Sequence, residues 1–223
     1  MNRLAVFDCD GTLVDSQRRI IAAVEAAWNA QKLTPPSAEA IRRIVGLALP
    51  QALGRLAPTV DPACLAALIE GFRQTFHRLQ QDPAYDEPLY PGAVEALDTL
   101  IAAGVLLGVA TGKGRRGLAH TLERHGLQDR FVVLKTADDG PSKPHPQILE
   151  DAMAELGARP ETTVMLGDTA FDMAMARAAG AHALGVAWGY HAPSDLAEHG
   201  AHAILHAYAE APPAVFRLLE GAP

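Results

Sequence analysis

From Pro91 onward the chain alternates helical segments with short apolar runs, and each helical segment stops at a glycine. The pattern predicts helices over 92–103, 115–125, 146–156 and 171–179, closed by Gly104, Gly126, Gly157 and Gly180, with strands over 105–110, 131–134, 163–166 and 183–187. Such alternation is the mark of βαβ units around a parallel sheet, and glycine past a helix end supplies the left-handed closing residue. Leu4-Ala5-Val6-Phe7 adds a buried strand that ends at Asp-Cys-Asp-Gly, so at least five parallel strands are expected in one open α/β sheet. Between that strand and Pro91 the spacing is helical instead (Ile20, Ile21, Val24, Ala27, Trp28; then Leu65, Leu68, Ile69, Phe72, Phe76), broken by Pro35-Pro36 and Pro58 to Pro62. The expected organisation is therefore a core of residues 1–16 and 84–223, with a lobe of about four helices, 17–83, inserted after the first strand.

With 223 residues, 49% hydrophobic and 20% charged, the chain has the make-up of an ordinary globular protein. Its net charge of −7 disfavours nucleic acid as a partner. The two cysteines, Cys9 and Cys64, fall in different lobes and form no disulfide framework, which fits a reducing compartment with the cytoplasm as default. The N-terminal apolar run meets Asp8 too early for a signal peptide, and no segment reaches the roughly 18 apolar residues of a spanning helix, so no membrane association is expected.

In open α/β sheets ligands bind beyond the carboxyl ends of the strands. The residues there are Asp8-Cys9-Asp10, Thr111-Gly112-Lys113, Lys143 in a following loop, and Gly167-Asp168 with Asp172 beyond. Carboxylates suit a hard divalent cation, and lysine suits phosphate as a point charge, so this rim can hold the two together. In extended chain, residues two apart point the same way, which lets Asp8 and Asp10 flank one reacting atom while Cys9 turns into the core.

DCDGTLVDS (Asp8–Ser16), Thr111 closing VATGK, Lys143 in SKPHP and GDTAFD (Gly167–Asp172) together resemble the four ordered motifs of the haloacid dehalogenase superfamily, and within it the phosphoglycolate phosphatase-like branch. The resemblance implies a Rossmann-like core with an all-helical cap, Asp8 as nucleophile and Asp10 as general acid/base. It implies Thr111 and Lys143 as phosphate ligands, and Mg²⁺ held by Asp8, the Asp10 main-chain carbonyl and Asp168, with Asp172 supporting through water. The implied reaction is hydrolysis of a small phosphate monoester through an aspartyl-phosphate, with phosphoglycolate first, pyrophosphate or a sugar phosphate (phosphatase or mutase) next, and a non-catalytic phosphate-binding module as the alternative class. A small phosphorylated metabolite is the expected partner, and the protein a monomer or homodimer.

Several residues also have plainer readings. Asp168-Thr169 can cap the following helix; Thr111-Gly112-Lys113-Gly114 can be read as a phosphate-binding glycine loop but lacks the full spacing of that motif, which sets Lys113 behind Thr111 as a phosphate ligand; Arg115, Arg116 and His145 read as rim or helix-start residues; Trp28, Phe72 and Phe76 read as lobe core. Gly46, with Leu47 and Ala48, is where the resembled family brings a loop over the substrate, and the apolar character of that loop points to a small one. Gly112 departs from the Asn that many relatives of this branch carry there, which concerns substrate contact. Hinges are expected near 16–17 and 82–88, with DPAYDEPLYPG as the return linker.

Overall fold

The computed structural model describes residues 2–220. Its elements are β1 (Asn2–Phe7), α1 (Gln17–Ala30), α2 (Ala38–Arg42), α3 (Leu49–Leu56), α4 (Pro62–Leu79), α5 (Ala93–Ala102), β2 (Leu106–Ala110), α6 (Arg115–Arg124), β3 (Val133–Lys135), α7 (Gln147–Leu156), β4 (Ala158–Gly167), α8 (Ala170–Ala178), β5 (His182–Val186), α9 (Pro193–Glu198), β6 (Ala203–Leu205) and α10 (Ala211–Glu220).

The six strands form one all-parallel sheet in the order β3-β2-β1-β4-β5-β6. The chain winds from β1 outward through β2 to β3, then returns to the other side of β1 for β4, so the crevice between β1 and β4 is the switch point where such sheets bind ligands. Strand pairing carries straight into it, since the Asp8 amide donates to Leu166 O at 2.9 Å. Alternation along β1 divides the core into two layers. Ala5, Phe7 and Cys9 pack with α5, α6 and α10, while Leu4 and Val6 pack with α7 and α8. Cys9 is fully buried on the Phe7 side, as the alternation requires.

The glycines at the helix ends behave as expected: Gly104, Gly126, Gly157 and Gly180 all have φ between 59 and 73°, the left-handed conformation that costs a Cβ-bearing residue most. The expected strands and helices are present within one or two residues, except that β4 begins five residues earlier than the apolar run, at Ala158. The sixth strand, with α9 and α10, lies beyond the region where the apolar pattern is regular.

Helices α1–α4 share an apolar cluster of their own, centred on Val24, Ile41, Leu53 and Leu68, and α1 lies along α4. Gly71 of α4 faces Ala27 of α1, where a Cβ would stand at ordinary van der Waals distance, 3.5 Å, from the Ala27 Cα. The two connections to this lobe run side by side: the Asp15 amide donates to Pro88 O at 2.9 Å and the Tyr90 amide to Leu13 O at 3.0 Å. No described helix is long and apolar enough to cross a membrane.

The loop after β1 is anchored from the far end of the chain. Tyr208 donates its hydroxyl to Thr12 O at 2.7 Å, in full burial, and Trp188 donates its indole N–H to the same carbonyl at 3.1 Å. Tyr208→Phe keeps the ring and deletes one donor, so unfolding free energy should fall by about 1 kcal/mol, read from the urea midpoint at constant m value.

Candidate active site

The rim is assembled from four loops. Asp8 follows β1, Thr111 follows β2, Lys143 lies between β3 and α7, and Asp168 follows β4. Asp8, Thr111, Lys143, Asp168 and Asp172 are all buried. Lys143 Nζ stands 2.9 Å from Asp8 Oδ1 and 2.5 Å from Asp172 Oδ1, so one ammonium bridges two carboxylates. The pairing with Asp8 is ionic only: neither Asp8 oxygen accepts a well-formed hydrogen bond from the described residues. A buried carboxylate without donors is costly.

Asp168 is held differently. Its Oδ1 accepts from the Thr12 hydroxyl at 2.8 Å and its Oδ2 from the Tyr190 amide at 2.9 Å. Gly11 and Gly189 crowd it so closely that a Cβ on either would overlap the Asp168 carboxylate. Asp168 does not cap α8. Thr169 does, in a reciprocal box with Asp172: the Thr169 hydroxyl and amide donate to Asp172 Oδ2 at 2.6 and 3.1 Å. The Asp172 oxygens are thus committed, one to Lys143 and one to Thr169, which makes it the anchor that aims the lysine.

Oxygens of Asp8, Asp168 and Asp172 lie within 4.8 Å of one another. Burial pushes the Asp8 carboxyl up to about 6, against the pull of Lys143 and with a further push from Asp172. Asp168 is raised well above the carboxylate range by burial first and by Asp8 and Asp172 next. Burial would lower the Lys143 ammonium, but Asp172 and Asp8 together raise it. When all three are ionised, these buried carboxylates face one buried ammonium, which leaves two negative charges without a counter-charge. A divalent cation with oxygen ligands supplies that charge, and the donor-free oxygens of Asp8 fit it.

Asp10 lies at the mouth of the same crevice. Its Oδ1 is 2.6 Å from Lys113 Nζ, so Lys113, which the sequence sets behind Thr111 as a phosphate ligand, is buried between Asp10 and Glu87 Oε1, the latter at 3.8 Å. Glu87 in turn pairs with Arg19 at 3.0 Å. Arg115 stays exposed on the surface, where it pairs with Asp139.

The helical lobe closes the top. Gly46, with φ 98°, brings its loop down onto Thr169 and Gly112, and the Ala48 amide donates to Ser142 Oγ at 2.7 Å. A Cβ on Gly112 would overlap the Gly46 and Leu47 carbonyls, at 2.7 Å from the latter. The absence of a side chain at 112 is thus what lets this loop seat. Beneath it is a cavity of about 640 Å³, lined by Asp8, Asp10 and Thr111 below and by Leu47, Leu49 and Phe72 above. Phe72 and Phe76, expected as lobe core, are half-buried and line this cavity. Glu87, Gly189 and Tyr190 carry no sequence signal as site residues, because each meets its partner from a distant segment.

Residues 5–186 match the haloacid dehalogenase-like hydrolase family. The chain belongs to that family. This haloacid dehalogenase-like hydrolase is 36% identical to the probable phosphatase IndB of Dickeya dadantii, over 99% of this chain and 96% of that one. It is 31% identical to the phosphoglycolate phosphatase of Xylella fastidiosa, over 86% and 83% respectively. Among solved structures it resembles a hydrolase from Pseudomonas syringae with a TM-score of 0.84 and 27% identity, each chain covered in full. It is an enzyme, a phosphatase of the haloacid dehalogenase-like group, with the expected open parallel sheet.

Two outcomes follow from the geometry. The native state holds a proton on Asp8 up to about pH 6, whereas the unfolded chain releases it near 3.8. The native form therefore binds more protons between those values, and stability falls as pH rises through them. At pH 7.5 the ionised Asp8 costs on the order of 3 kcal/mol in divalent-free protein. Asp8→Asn should melt several °C above wild type in EDTA at pH 7.5, with the gain shrinking towards pH 4. Gly112→Asn should unseat the Gly46 loop, seen as faster limited proteolysis around residues 46–49 and a raised KM.

Proposed function

We propose that this hydrolase is a Mg²⁺-dependent phosphatase that cleaves a small phosphate monoester through an aspartyl-phosphate on Asp8. The observation that carries the reading is the Asp8 carboxylate: buried, free of hydrogen-bond donors, and in ionic contact with Lys143. A carboxylate in that state is an available nucleophile, and its neighbours are those a phosphoryl group needs. Asp8, the Asp10 main-chain carbonyl and Asp168, with Asp172 behind them, would hold Mg²⁺, which would supply the positive charge that lets a carboxylate approach a phosphate dianion.

One Asp8 oxygen attacks phosphorus and the bond to the leaving oxygen breaks, with Asp10 giving that oxygen its proton. Asp10, now a carboxylate, takes a proton from the water that attacks the aspartyl-phosphate. Phosphate leaves and Asp8 is restored. Lys143 offsets charge on the nucleophile and the phosphoryl oxygens, and the Thr111 hydroxyl binds one of those oxygens. Gly112 and Gly46, facing each other across the crevice, bring backbone rather than side chain close to the organic group.

The Asp172–Lys143 pair supports the role of Lys143, because an ammonium anchored from behind loses little freedom when it binds. The lobe, 17–83, works as a cap that excludes water while seated and turns about the paired connections near residues 16 and 88. The phosphoglycolate phosphatase of X. fastidiosa supports a two-carbon phosphate monoester as substrate. The cavity favours a second reading. At about 640 Å³ it falls in the range of about 300–1,000 Å³ that holds drug-sized ligands, so a larger organic group such as a sugar phosphate also fits beneath the lobe.

Wild-type protein should hydrolyse a generic phosphomonoester with Mg²⁺ and not in EDTA. Asp8→Asn should abolish turnover, and full activity in that variant would remove the nucleophile assignment. Asp10→Asn should lower the rate roughly 10²–10⁴-fold. A panel running from phosphoglycolate to sugar phosphates, ranked by kcat/KM, separates the two substrate readings.

A further inference from the structure

The Asp10 carboxylate accepts one hydrogen bond from the described side chains, from Lys113. That lysine is fixed along its whole length. Its amide donates to the Thr111 hydroxyl at 3.2 Å, and its carbonyl accepts from the Ala137 amide at 3.1 Å. Its stem lies over Gly117, where a Cβ would come within 3.2 Å of Lys113 Cγ. Its ammonium, 7% exposed, meets Asp10 at 2.6 Å and Glu87 at 3.8 Å, and sits 5.3 Å above the Phe76 ring of α4.

Glu87 is held in its turn. Arg19 of α1 pairs with its carboxylate, and the His125 ring contacts its main-chain oxygen at 2.8 Å. A chain of buried charge thus runs from the lobe through Glu87 and Lys113 to the Asp10 side chain. In a medium of low dielectric such pairs fix geometry strongly, because either partner left alone would be expensive.

We propose that Lys113 is the positioning residue of Asp10. It holds one carboxylate oxygen and leaves the other to exchange a proton with the leaving group and with water, and Phe76 and Arg19 tie that hold to the seated lobe. This rests on the phosphatase reading above. The proton balance is simple: Asp10 passes its proton to the leaving oxygen as the phosphorus–oxygen bond breaks, and Lys113 keeps its own three protons throughout.

A leaving group that departs readily as an anion needs no proton, whereas a poor one does. Rates for a series of substituted phenyl phosphates, from 4-nitrophenyl phosphate to phenyl phosphate, are therefore measured with Mg²⁺ on wild type, Lys113→Met, Asp10→Asn and the double variant. Lys113→Met should lose little on 4-nitrophenyl phosphate and roughly ten- to 10²-fold more on phenyl phosphate, so that the plot of log kcat against leaving-group pKa steepens. Asp10→Asn should steepen it at least as far, and the double variant should be no steeper than Asp10→Asn, since the lysine acts through that carboxylate.

A merely structural role would lower all rates together and leave the slope unchanged. Lys113→Leu, which also removes the donor, gives the same reading should the methionine variant fail to fold. An unchanged slope in the folded lysine variants, or slopes that add in the double variant, overturns the proposal. Turnover by wild type with an unchanged slope removes this inference alone; no turnover by wild type removes the phosphatase reading with it.

Discussion

The buried ammonium of Lys143 between Asp8 and Asp172 is the contact on which the site depends. Without it three carboxylates would meet in a space closed to water, and some would take up protons or the loops would part. With it they are still under-neutralised, and that residue of negative charge is the useful part. It suits the crevice to a divalent cation. The protein holds this unfavourable arrangement because each carboxylate sits at the end of a central strand or on a helix cap, where the backbone has no freedom to retreat.

Secondary elements were legible in the sequence wherever apolar runs alternate with glycine-stopped helices, from β2 to β5. The same regularity placed Asp8, Thr111 and Asp168 at one rim, since strand ends in a parallel sheet converge. What was not legible came from contacts made at long range. Glu87 lies in the return linker, Tyr190 in the loop after β5 and Arg19 on α1, and none carries a periodic signal. Lys113 was undervalued because in TGKG it reads as a loop cation, whereas its partners Asp10 and Glu87 lie far away in sequence. At the start of α8 the sequence offers Asp168-Thr169 together as a cap, because Asp and Thr both cap well, and only the side-chain geometry singles out Thr169.

Gly112 shows how a departure from a family pattern can be compensated in space. Where many relatives are expected to project an amide toward the substrate, this chain leaves a gap, and the Gly46–Leu47 backbone fills it. Main-chain carbonyls thus replace a side chain as the surface nearest the organic group. Recognition at that edge becomes a matter of loop position.

The two strands of chain that join the lobe to the sheet are hydrogen bonded to each other, Asp15 to Pro88 and Tyr90 to Leu13. The polypeptide thus leaves the sheet and re-enters it one strand spacing away, about 4.8 Å. Seen from the sheet, some seventy residues occupy the place of a tight turn. Length and shape on the far side of that junction are free to vary without moving a single strand, so selection can rebuild the chamber that admits the substrate while the chemistry at the rim is inherited intact.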